Sequence, residues 1–174
     1  MIRTSLLIAA VLMGLTGPAH ASDATMKSMA QKELRQIRAM TLKNLAIARG
    51  YEPDPATIDQ KLQQLARRDE VVAARVLAFR DSLLFQSPST RTGRVAQSLL
   101  RESATNLAKT YQLNAKSLLI AAKGGDQALR AFRANQRLIK RYGSRARSQL
   151  ALALGRIGFS RAQVRALTPL IPLQ

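Results

Sequence analysis

The chain of 174 residues holds 28 Lys and Arg against 10 Asp and Glu, a net charge of +18, with no Cys, no Trp and a single His, His20. A disulfide framework, a lipid-modified cysteine and a thiolate metal site are therefore excluded. What remains is a strongly cationic chain, whose field favours anionic partners and speeds encounters with them.

Residues 1–21 read as an export leader. Arg3 supplies the positive start, "LLIAAVLMGL" (6–15) a short apolar run, and Ala19-His20-Ala21 a small-x-small cleavage signal. The run is about half of the roughly 20 residues needed to span a bilayer. The expected product starts at Ser22, is periplasmic or secreted, and is soluble, since no second long apolar run follows. Cleavage also removes His20, which closes the Ser-His and Cys-His relays and zinc sites of the usual His/Cys type.

Helical periodicity fills the rest. Met26, Met29, Ala30, Ile37, Met40, Leu45 and Ala48 predict an amphipathic helix over 24–49 that ends at Gly50. After "YEPDP", Asp54 suits an N-cap, with Pro55 at the first helical position. Ile58, Leu62, Leu65, Val72, Val76, Phe79 and Leu83 continue the rhythm, which breaks only at Asp69. Either one helix runs to about Phe85 or Asp69 caps a second. "QSPSTRTGR" (86–94) predicts a loop and a sub-boundary within a single domain, 22–174. Five shorter helices are expected beyond it, near 95–111, 115–123, 127–142, 145–157 and 161–168. Asn114, Asp126, Ser144 and Ser160 serve as caps, and Gly125, Gly143 and Gly158 as stops. The fold class is all-α, an irregular bundle of about six to eight helices.

Charge is unevenly spread. Residues 22–85 hold 11 basic and 8 acidic side chains, residues 86–126 hold 6 and 2, and residues 127–174 hold 10 and none. On a helical wheel of about 100° per residue, Arg130, Arg133, Arg137, Lys140 and Arg141 share a sector of about 100°. Leu129, Phe132, Leu138, Ile139 and Tyr142 fall on the other side, which is expected to be buried. Like charges at i,i+4 repel by a few tenths of a kcal/mol per pair. A purely structural surface helix would interleave Glu, so the ridge points to an anionic partner. Four of the five are Arg, which grips carboxylates or phosphates through a two-pronged fork. A basic amphipathic helix can also lie on anionic lipid. A single-stranded nucleic-acid groove would need stacking aromatics beside the charge, and Phe132 and Tyr142 sit on the opposite side.

Catalytic motifs are sparse. No Gly-x-Ser-x-Gly elbow, Ser-x-x-Lys pair or Gly-x4-Gly-Lys phosphate loop occurs. Glu102-Ser103 in "LLRESATNLAKTYQLN" resembles the Glu-Ser dipeptide of cell-wall lytic transglycosylases, which would make Glu102 the acid. Their glycine-rich segment after the dipeptide is replaced here by "TNLAKTYQLN". "NLAKTYQLNAKSLL" also resembles the corner of a helix-turn-helix DNA reader, a spacing that any tight helical corner shares. In size, charge and predicted compartment the chain resembles small helical chaperones of the Spy type, whose Leu-Thr-x-x-Gln signature is echoed once, by residues 159–163. The reading is an exported, non-enzymatic binding or adaptor protein that docks an acidic envelope partner through the ridge. A Spy-like chaperone and a peptidoglycan or anionic-polymer binder are the alternatives. No cofactor or metal is implied.

Overall fold

The computed structural model describes residues 22–51, 54 and 56–171; the expected leader, 1–21, lies outside them. Five α-helices account for most of that chain: α1 (Asp23–Arg49), α2 (Ile58–Ser82), α3 (Arg91–Ala121), α4 (Asp126–Arg156) and α5 (Arg161–Leu167), with a 3-10 turn at Leu83–Phe85. No strand occurs among the described residues. No helix among them is long and apolar enough to cross a membrane.

Local chemistry explains the helix starts. Ser22 caps α1, its hydroxyl accepting from Thr25 N–H, while Asp23 and Arg49 complement the dipole at either end. Thr90 caps α3 by accepting from Gly93 N–H at 2.8 Å. Ser160 and Gln163 form the expected capping box at α5. Asp54, expected to cap α2, instead organises the turn before it: its carboxylate accepts from Ala56 N–H and from the Thr57 hydroxyl, and α2 starts only at Ile58. Gly125, rather than Asp126, holds the N-cap position of α4.

The expectation of six to eight helices fails at two predicted breaks. Asn114 lies inside α3 because its amide donates sideways to Asp69 on α2 rather than to its own backbone. Gly143 and Ser144 lie inside α4. A glycine there costs about 1 kcal/mol of helix propensity, but a Cβ at 143 would sit 2.6 Å from Ile171 Cδ1, so its absence admits the C-terminal tail. Of the two alternatives for the second helical stretch the single helix holds: α2 runs through Asp69, and the 3-10 turn carries it to Phe85. The loop at 86–94 is shorter than expected, since α3 begins at Arg91.

Helices α1 to α4 run up, down, up and down. Partners at 33/75 and 44/69 make α1 and α2 antiparallel; partners at 69/114 and, in the 3-10 turn that extends α2, at 83/97 do so for α2 and α3, and partners at 102/149 and 109/142 for α3 and α4. One cluster of buried side chains takes in all four, including Ile37, Phe79, Leu100 and Leu154. A smaller one, Ala66, Ala115 and Leu118 with Leu62 and Leu65, joins α2 to the distal half of α3. The segment after α4 turns back along α1. Lys27 donates to Gly158 O, Arg38 to Arg165 O and Thr168 O, Leu170 N–H to the Thr41 hydroxyl, and the Tyr111 hydroxyl to Leu170 O.

Candidate functional site

All five ridge residues, Arg130, Arg133, Arg137, Lys140 and Arg141, are exposed. The last buried residue of α3 is Leu118 and the first of α4 is Ile139, so the tip of the α3–α4 hairpin, 119–138, buries no side chain. This corrects part of the expected apolar face. Ile139 is buried and Phe132 and Tyr142 are half-buried, but Leu129 and Leu138 remain 48% and 39% exposed. Helix α4 packs chiefly on α3 and makes no substantial contact with α2, so these leucines find no second helix to pack on. Tyr142 is engaged toward α3, with the Lys109 ammonium 5.4 Å from its ring centre. The turn at Gly124 and Gly125, both at positive φ, and Ala128, Leu129 and Phe132 line a shallow depression at the extremity.

Among the described residues no ion pair engages the ridge. The ion pairs seen among the described residues are Arg75–Glu33 at 2.6 Å and Arg80–Asp81 at 2.7 Å, both on the α1–α2 side. Composition favours this, since Asp126 at the start of α4 is the last acidic side chain and residues 127–174 contain none.

The Glu102-Ser103 pair divides between two environments. Glu102 is exposed on α3 and accepts from Gln149 Nε2 at 2.7 Å, whereas Ser103 is buried and donates to Ala146 O at 2.8 Å. Glu102 lines none of the described cavities. "NLAKTYQLNAKSLL" lies inside the unbroken α3, which removes the helical corner that the resemblance to a DNA reader required. Among the described residues, no three His, Cys, Asp or Glu side chains come together as a metal-ligand set.

A second site escaped the sequence reading. Asp69 is buried at 5% exposure in the middle of α2, where Asn114 donates to one carboxylate oxygen at 2.5 Å and Asn44 to the other at 3.3 Å. Three helices thus meet at a polar layer inside an apolar core. Burial pushes the Asp69 carboxyl up to about 6, against the two amide hydrogen bonds, which hold it down. Burial also raises the neighbouring Tyr111 phenol. The layer borders a cavity of about 100 Å³ lined by residues of α1, α2, α3 and the tail. Its one signal in the sequence was the break in the apolar rhythm of α2 at Asp69. Comparison with known protein families, with curated proteins and with solved structures finds no match to this chain, so each site is read from its own geometry.

Proposed function

We propose that the protein is an exported, non-enzymatic adaptor of the cell envelope that docks an acidic partner protein through the arginine ridge of α4. The supporting observation is the ridge itself: five exposed cations, three of them (Arg130, Arg133 and Arg137) on a hairpin tip that buries no side chain, with no ion pair to any of the five among the described residues. Arg133 and Arg137, and Arg137 and Arg141, stand at i,i+4, where like charges repel. A carboxylate-rich surface relieves that repulsion, and each guanidinium offers it paired donors. Exposed Leu129 and Leu138 lie on the same free segment and add apolar area. Charge then steers the encounter and fixes register, while apolar burial slows dissociation.

The test is affinity capture from solubilised cell envelope with the chain from Ser22 onward, washed at low and high salt. One protein held stoichiometrically through high salt, and lost when Arg130, Arg133 and Arg137 are changed to Glu with helicity intact, is the expected result. Unchanged capture by the triple variant overturns the proposal. Capture of mixed anionic polymers alone, stripped by salt, replaces it with retention on wall or surface polymers.

A further inference from the structure

Among the described residues Asp69 is the one buried carboxylate. In a chain with 28 Lys and Arg it is held by two asparagine amides rather than by a cation. Taking an anion out of water is costly unless a counter-charge accompanies it. Here the counter-charge is missing, and free volume lies beside the anion.

The antiparallel helices stack that volume in layers. Asn44, Asp69 and Asn114 form the polar layer; one helical turn further on, Ala48, Leu65 and Leu118 form an apolar floor. Thr41, Tyr111 and Leu170 bound the other side. The hydroxyls there are engaged: Thr41 donates to Arg38 O and accepts from Leu170 N–H, and Tyr111 donates to Leu170 O. What stays unsatisfied is an acceptor. Asn114 is 2% exposed, and its Oδ1 is buried without a hydrogen-bond partner. Turning the amide over does not cure this, because the oxygen would then face the Asp69 carboxylate.

We infer that this cavity binds a small primary alkylammonium ion, which donates to the Asp69 carboxylate and to Asn114 Oδ1 and lays its hydrocarbon against Leu65 and Leu118. A primary ammonium has three donors and no acceptor, which complements what the layer leaves to be satisfied, the Asp69 carboxylate and Asn114 Oδ1, both acceptors. A metal ion would want six or more oxygens, and the apolar floor offers none. Size limits the chain: an engineered cavity of about 150 Å³ accepts benzene, so about 100 Å³ suits a propyl group. The raised Asp69 carboxyl is the mark of an anion lacking a counter-ion, and the bound ammonium supplies it. None of the ridge residues takes part, so this site stands apart from the adaptor reading.

The experiment titrates n-propylammonium chloride into the protein at constant ionic strength and follows the side-chain amide resonances of Asn44 and Asn114. Saturable shifts in the millimolar range are expected, with none from n-propanol. Asp69→Asn, which keeps the shape and removes the charge, weakens binding at least tenfold. Ala48→Leu, which fills the floor and keeps the carboxylate, does the same and decides the matter if Asp69→Asn fails to fold. Absence of saturation in the wild type, equal binding of n-propanol, or binding that survives both substitutions overturns the inference.

Discussion

The cavity layer and the hairpin tip treat charge and hydropathy in opposite ways. Around the cavity an acid is buried at 5% exposure with amides for company; at the tip, cations stand in water beside leucines that are 39% and 48% exposed. Neither outcome follows from the side chain itself. Asp69 is buried because α1 and α3 both pack over that part of α2 and bring Asn44 and Asn114 to its two oxygens. Leu129 and Leu138 are exposed because α4 packs chiefly on α3, which covers only one of its faces there. Burial is set by how many neighbours a helix has at each level, and the same amphipathic pattern serves both levels.

Paired truncations test that contrast most strongly. Leu100, fully buried in the main cluster, loses about 2–5 kcal/mol when changed to Ala. Leu129→Ala at the tip stays within about 0.5 kcal/mol. Urea unfolding of both variants checks this, and a large loss at Leu129 would mean that the tip is packed after all.

The polar layer comes next in size. The folded Asp69 carboxyl sits at about 6 against an ordinary 3.8, so the native state binds its proton more tightly than the unfolded chain does. Its contribution is therefore fully present below about pH 4 and is lost as pH rises through about 6. That interval corresponds to an upper bound of about 3 kcal/mol. Asp23 and Asp54 work in the opposite sense, their carboxyls being held below the ordinary value by hydrogen bonds from Thr90 and Thr57. The clean measurement is accordingly the difference between wild type and Asp69→Asn. The variant gains stability relative to wild type at pH 8, and the gain shrinks toward pH 4.

Smaller effects are expected where the tail meets α4. Gly143→Ala inserts a Cβ against Ile171 and destabilises by about 1 kcal/mol net, the steric cost exceeding the gain in helix propensity. In an Ile171→Ala background the same substitution becomes stabilising, and a double-mutant cycle reads the change of sign. At the ridge, Arg133→Glu shifts stability by no more than about 0.5 kcal/mol. Thermal unfolding that moves well beyond this would place Arg133 in a structural contact.

Much of the architecture was legible in the sequence, and the errors share one cause. The three-four apolar rhythm, the Ser160 to Gln163 capping box and the start of α1 depend on residues within a turn or two of one another, so local chemistry decides them. Asn114 and Gly143 were also read locally, as a cap and a stop, and Asp69 as a cap in one of two alternatives, because a polar residue or a glycine on an apolar stripe ordinarily ends a helix. Their partners lie 45 residues away, in the Asn114–Asp69 pair, or on the tail at Ile171. A side-chain partner on another helix removes the reason to break the backbone, and no periodicity within one segment reveals it. By itself the sequence determined the helical class, the sorting of cations onto one face of α4 and the absence of acids after Asp126. Tertiary packing decided that five helices replace the expected six to eight, that Asp69 is enclosed beside a cavity, and that the leucines of the tip stay in water. Those outcomes depend on contacts between helices, and contacts are where desolvation is gained or lost.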